Sequence, residues 1–261
     1  MYIKTVTATR YITPLREGGS LPAIIEADDN QFYVLKFRGA GQGTRALIAE
    51  LVAGEIIRAL GPAVPEIVFV ELDSSLGNSE RDPEIQHLIH SSAGINLALA
   101  YLPNALAFEP LLAPPPDAAL ASAIVWCDAY LMNVDRTSRN PNLLIWNKEL
   151  WLIDHGAALY VHHTWTDYHT RSRSRFPQTR DHILLPFASM IAEMDAKFSN
   201  QLTAEFLQAI IALIPEPWLQ EDTRFISPDE HRSTYLSYLT NRLENPRAFV
   251  EEAIHAHQPY L

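Results

Sequence analysis

The apolar pattern of this 261-residue chain changes period once, near Pro103, and that change limits the folds open to it. Before it, short apolar runs at 23–27, 32–37, 65–72 and 95–102 are bounded by turn residues such as Asp28-Asp29-Asn30 and Pro103-Asn104, the pattern of strands, with the first two joined as a hairpin. One helix interrupts them. Leu47, Ile48, Leu51, Val52, Ile56 and Ala59 recur at helical spacing over 45–60, with Thr44 as N-cap and Gly61-Pro62 as the stop. Beyond Pro103, a strongly apolar segment at 118–132 follows the capping residue Asp117, and 186–197, 203–214, 228–242 and 246–257 each carry a start signal and amphipathic spacing. Strands followed by helices predict an α+β chain. Residues 1–102 form a small β-rich part with one helix, and residues 103–261 a mainly helical part.

Composition narrows the function. At 48% hydrophobic the chain can bury a full core, yet no apolar run approaches the roughly 20 residues needed to span a bilayer. The start, MYIKTVTATRYITPL, lacks the apolar core of a signal peptide, so a cytoplasmic protein with no membrane partner is expected. A net charge of −11 argues against a general nucleic-acid binder. A single cysteine, Cys127, set among Val125, Trp126 and Ala129, excludes an internal disulfide and reads as a buried helix position.

One feature breaks the helical run after Pro103. Residues 143–146 and 150–153 make a short antiparallel pair about Asn147-Lys148-Glu149, which sets Asp135 and Asn140 just before the first strand and Asp154 just after the second. Three polar side chains then gather at one end of a hairpin. Phosphoryl transfer needs such a set: a carboxylate for the acceptor hydroxyl, and an amide oxygen with a second carboxylate to hold Mg²⁺ against nucleotide phosphates. The five-residue step from Asp135 to Asn140 is the separation of Asp and Asn in the protein-kinase catalytic loop. Independently, Lys36 is an interior cation in the apolar strand YVLKF and needs an anionic partner, which phosphate oxygens supply.

NVDRTSRNPNLLIW followed by LWLIDHGAALYVHH resembles the HipA-like kinase family, in particular its short stand-alone branch, and the likeness extends through EGGSLPAIIEADD, YVLKFRG and INLALAYLPNA to cover most of residues 11–163. The resemblance implies a bilobal protein-kinase-like fold with ATP in the cleft and Mg²⁺ as the activating ion. Residues 1–102 would be the nucleotide-binding lobe and 103–261 the catalytic lobe. It makes Asp135 the catalytic aspartate, Asn140 and Asp154 the metal ligands, and Lys36 the phosphate-orienting lysine. Glu50 or Glu55 would orient that lysine, with Glu50 favoured because it lies in the first turns of its helix. Gly18, Gly19 and Ser20, after Glu17, would cover the phosphates with backbone amides. Asn142 is an alternative metal ligand. His155 stands where protein kinases carry the aromatic of Asp-Phe-Gly, and Arg136 follows Asp135 instead of preceding it.

Other motifs weigh less. GAGQG lacks the third glycine of a dinucleotide fingerprint and reads as a flexible strand-to-helix connection, and no Walker-type loop is present. His162-His163 could suggest a transition-metal hydrolase, but adjacent histidines on a strand point to opposite faces. Arg171, Arg173, Arg175 and Arg180 crowd into a stretch that either pairs with the chain's own acids or attracts an acidic acceptor. The expectation is an ATP- and Mg²⁺-dependent kinase acting on a hydroxyl, a protein serine or threonine ahead of a small molecule. The alternative is a nucleotide-binding sensor or pseudokinase without turnover.

Overall fold

The computed structural model describes residues 1–15, 21–110 and 113–260. Five strands close into a barrel: β1 (Thr5–Pro14), β2 (Ala23–Ala27), β3 (Phe32–Lys36), β4 (Ile67–Leu72) and β5 (Gly94–Ala100), in the order β1-β2-β3-β5-β4. Neighbours run antiparallel except β1 and β4, whose parallel pairing sets Thr5 opposite Phe69 and Thr7 opposite Glu71 and shuts the barrel.

Side chains alternate faces along a strand, and this decides where the lysine goes. Tyr33 and Leu35 of β3 enter the barrel core with Ile25 of β2 and Val68 and Val70 of β4. Lys36 therefore faces outward, onto helix α1 (Thr44–Leu60). That helix is buried on nearly every side and stops at Gly61, whose φ of 117° is one that glycine adopts without a Cβ clash. Helix α2 (Pro83–Ser91) adds Ile85, Leu88 and Ile89 to the barrel core.

The helical part is organised about α3 (Ala118–Leu131), buried at every position from Ala121 onward. Asp117 caps it, accepting from the Leu120 amide at 2.9 Å. The other helices are α4 (Tyr168–Ser172), α5 (Ile191–Gln201), α6 (Ala204–Ile211), α7 (Glu216–Gln220), α8 (Pro228–Leu243) and α9 (Ala248–His257). Trp126 of α3 stacks on Tyr130 at 5.2 Å and meets Phe198 of α5 and Phe249 of α9 edge-on. At the far end of α3 the buried Arg242 guanidinium donates to the carbonyls of Tyr130 and Ala129 at 2.7 and 2.8 Å, giving the helix's last acceptors a cationic partner. A single apolar cluster runs from Leu47, Ile48 and Leu51 of α1, with Ile67 of β4 and Leu97 and Leu99 of β5, through α3 to the outer helices.

A second, three-stranded sheet is made of β6 (Leu106–Ala107), β7 (Leu143–Trp146) and β8 (Glu149–Leu152), with β7 in the middle. The β7–β8 hairpin turns on two residues, Asn147 and Lys148, with φ of 51° and 68°, a type I′ turn that matches strand twist. Glu149 thus belongs to the ladder opposite Trp146 and not to the turn.

Strands precede helices as the change of period predicts, with several local differences. Strand β1 has no clear apolar signature in TVTATRYITP, because most of its outward residues are polar or exposed. The described residues of 1–102 hold two α-helices and not one, since α2 follows α1 within the β-rich part. Thr44 is the first residue of α1 and not its cap. The cap position is Gly43, which has no side chain to offer, and the Thr44 hydroxyl donates instead to Glu221 at 2.7 Å. The helix expected from Pro186 begins at Ile191, because Leu185–Phe187 form a 3₁₀ turn. His162 and His163 lie in another 3₁₀ turn, Tyr160–His163, with ring centroids 4.7 Å apart, and not on a strand. Cys127 is fully buried, and burial pushes its thiol pKa up. No described helix is long and apolar enough to cross a membrane.

Candidate active site

The Lys36 ammonium lies 2.6 Å from Glu50 Oε2 and 2.5 Å from Asp154 Oδ1. Of the two glutamates on α1, Glu50 is the one that meets it, while both oxygens of Glu55 accept from Arg58 at 2.7 Å. Glu50 also accepts the backbone N–H of His155 at 2.9 Å, and its other oxygen is 3.2 Å from His155 Nδ1. The residue after Asp154 is thereby pinned to α1. Burial opposes the charge on Lys36, but Glu50 and Asp154 outweigh it and push the lysine pKa up to about 12. Burial likewise opposes the charge on Glu50, and the Lys36 ammonium together with His155 holds that carboxyl well below the usual range. The Asp154 side chain, 44% exposed, is the member of this group that opens to solvent. Its backbone sits at φ 56°, a left-handed conformation that aspartate tolerates better than most residues.

Asp135 meets the hairpin from the other side. Its Oδ2 accepts from Asn140 Nδ2 at 2.7 Å and from Asn142 Nδ2 at 3.4 Å. Asn142 Nδ2 is also within 3.5 Å of the Asp154 carbonyl, and the Asn142 carbonyl accepts the Ile153 N–H at 3.1 Å. The hairpin therefore gathers Asp135, Asn140, Asn142 and Asp154 at one end, with Lys36 and Glu50 joined to them through Asp154.

The loop carrying Asp135 is held from below by a buried acid. Asp128, near the end of α3, accepts from Arg136 Nε at 2.6 Å and from Asn133 Nδ2 at 2.9 Å, and lies 2.9 Å from His182 Nε2. Arg136 reaches onward to the Asn142 carbonyl at 2.5 Å. Burial would raise the Asp128 pKa, but Arg136 and His182 hold it well below the usual carboxylate range. No sequence motif marks Asp128 or His182, and Arg136 stands out in the sequence only for its place after Asp135. An acid inside the apolar run AIVWCDAYL was the available signal, since a buried charge must find a partner.

The oxygen donors here, the carboxylates of Asp135 and Asp154 with two neutral amides, suit a hard cation that completes its shell from water and phosphate. No group of three or more His, Cys, Asp or Glu able to cage a metal occurs among the described residues, so His162 and His163 form no such centre there. Gly18, Gly19 and Ser20, with Glu17, lie outside the described residues. The clustered arginines are answered locally. Arg173 pairs with Glu244, Arg175 lies 3.6 Å from Glu252, Arg180 lies 3.7 Å from Asp181, and Arg171 donates to Thr164. Ser172 is buried, its hydroxyl donating to the His169 carbonyl at 2.6 Å.

A cation held by a helix acid, beside an aspartate–asparagine loop and a further aspartate, is an arrangement that can serve phosphoryl transfer. The sequence matches the family model described as HipA-like kinase over residues 9–251, and the chain belongs to that family of phosphotransferases. Among solved structures, the Helicobacter pylori proinflammatory kinase CtkA aligns with a TM-score of 0.54 at 14% identity, covering 98% of this chain and 99% of that one. A Golgi casein kinase aligns with a TM-score of 0.48 at 10% identity, covering 98% of this chain and 72% of its own. At such identities the CtkA likeness bears on fold alone. No curated protein matches the sequence.

Proposed function

We propose that the protein transfers the γ-phosphoryl group of ATP, with Mg²⁺, to a hydroxyl acceptor, a protein serine or threonine ahead of a small molecule. The barrel with α1 and α2, residues 1–102, is the nucleotide lobe, and residues 103–261 are the catalytic lobe. The observation that carries this reading is Lys36 held between Glu50 and Asp154, at the same hairpin end as Asp135, Asn140 and Asn142.

Each residue then has a task. With a pKa near 12, Lys36 stays cationic at any physiological pH and offers the nucleotide phosphates a fixed charge, while Glu50 orients it. Asp154, with Asn140 or Asn142, would hold the divalent cation, which supplies charge neutralisation at the phosphates when bound. Both asparagine amides donate to Oδ2 of Asp135, which turns the other carboxylate oxygen to the acceptor hydroxyl to align it and take its proton. Most of the acceleration comes from alignment and charge stabilisation. Gly18, Gly19 and Ser20 are proposed to cover the phosphates with backbone amides.

Crystals grown with a non-hydrolysable ATP analogue and Mg²⁺ test the arrangement. The expected result is the phosphate chain against Lys36 and the cation on Asp154. Nucleotide bound elsewhere, or absent at millimolar concentration, sinks it.

A further inference from the structure

Helix α7 belongs to the helical part by sequence but docks on the barrel side. The Trp218 indole N–H donates to the Ile95 carbonyl of β5 at 3.0 Å, and its ring meets Phe69 of β4 edge-on at 5.6 Å. The two acids that follow α7 then reach the start of α1. Glu221 Oε2 accepts from the Thr44 hydroxyl at 2.7 Å, and Oε1 lies 3.8 Å from Arg38 Nε. Asp222 Oδ2 lies 3.6 Å from Arg45 Nη2, and the Asp222 carboxylate is also gripped by Arg224 through two guanidinium nitrogens. Arg224 in turn donates to the carbonyls of His162 and His163 at 2.9 Å each, in the segment that follows Asp154.

Helix α1 has no side-chain cap of its own at this end. Its cap position is Gly43, no side chain caps it, and its first turn holds no acid. A helix start left with free amides and a partial positive charge favours acids nearby, and here they come from a distant part of the chain. Thr44 and Glu50 are six positions apart, about 9 Å along a rigid helix, so whatever fixes Thr44 also fixes Glu50.

We propose that Glu221 and Asp222 are positioning residues: they hold the start of α1 so that Glu50 sits against Lys36, and through Arg224 they tie the same helix to the segment after Asp154. The proposal rests on reading Lys36 and Glu50 as the phosphate-orienting pair.

The test uses the full chain carrying Glu221→Gln and Asp222→Asn together, with two readouts. In the first, ATP-dependent phosphoryl transfer should fall about tenfold or more in kcat. In a Glu50→Gln background, where the lysine has already lost its partner, the same pair of changes should cost less than about twofold further. A purely structural loss would lower activity by the same factor in both backgrounds. In the second, amide hydrogen exchange over residues 44–52 should quicken by about tenfold or more while α3 keeps its wild-type protection. Should the double variant not fold, Thr44→Val carries the same two readouts, with an expected loss of about threefold. Equal factors in the two backgrounds, or unchanged exchange in α1, overturn the proposal. If wild-type protein transfers no phosphoryl group but exchange in α1 quickens as expected, the tether stands and the phosphotransfer reading is what fails.

Discussion

Arg136 places its guanidinium 2.6 Å from the Asp128 carboxylate, with both side chains essentially out of reach of solvent. The residue next to Asp135 in sequence thus turns inward, bridging the end of α3 to the Asn142 carbonyl. This turn of the chain presents Asp135 to Asn140 and Asn142 on the open side. Removing one member of a buried pair leaves the other charge without compensation. Asp128→Ala should cost about 3–5 kcal/mol, whereas Asp128→Leu with Arg136→Met should recover much of that loss. Urea unfolding of the variants checks this, and a loss below about 1 kcal/mol for Asp128→Ala would show that the pair does not hold the loop.

Asp135→Asn should lower turnover by about 10²–10⁴-fold, the usual worth of a positioned general base. Nucleotide affinity should stay within about threefold, because this carboxylate acts on the acceptor and not on the phosphates. Calorimetry beside a transfer assay separates the two. Lost ATP binding in a folded variant would remove the assignment.

Asp154→Asn should remove the Mg²⁺-dependent part of nucleotide stabilisation. A ligand at about 100 times its Kd adds about 2.7 kcal/mol, so the difference in melting temperature between ATP alone and ATP with Mg²⁺ should be clear for wild type and small for the variant. An identical difference in both proteins would move the cation elsewhere.

His231 lies between Phe225 and Tyr235, at ring distances of 3.9 and 5.0 Å, and burial lowers its pKa from 6.5 to about 4. The unfolded chain takes a proton there near pH 6.5, and the folded chain does not until about pH 4. Stability from this group is therefore complete above 6.5 and is lost as pH falls toward 4. Burial also depresses His162, which acts in the same direction. His231→Phe keeps the stacked ring and should flatten the fall in unfolding free energy between about pH 6.5 and 5, by up to about 1.4 kcal/mol per pH unit. Denaturant titrations at several pH values would reveal an unchanged slope if the assignment is wrong.

Arg173 and Arg175 are exposed and pair with Glu244, half-exposed, and Glu252, which is 17% exposed. Exposed pairs contribute about 0–1 kcal/mol, so Arg173→Gln with Arg175→Gln should shift stability by no more than about 1–2 kcal/mol and leave transfer at the wild-type rate. A salt-dependent drop in transfer would instead assign these arginines to acceptor docking.

The change of period at Pro103 and the two acids flanking a hairpin were legible because both rest on local rules, alternation and helical spacing. Lys36 was legible for a related reason, since a charge in an apolar strand calls for a partner. What stayed hidden depends on contacts distant in sequence. Asp128 meets His182 across 54 positions, and Glu221 meets Thr44 across 177, so no window of sequence brings either pair together. Strand β1 and helix α7 escaped for another reason. Most outward residues of β1 are polar or exposed, and α7 is five residues long, too short for periodicity to register.

The apolar cluster that joins α1 to α3 has a practical consequence for anyone dividing the chain. A fragment ending at residue 102 would keep the barrel's own interior and α1, but would lose α3, α6 and α7, against which α1 packs in the intact molecule. At about 1.5–3 kcal/mol per large side chain returned to water, uncovering even a few α1 side chains would cost an amount comparable with the margin by which small domains stay folded. The piece would be recovered as aggregate or as a chaperone-bound chain, so expression of either half alone is a poor route to studying its chemistry.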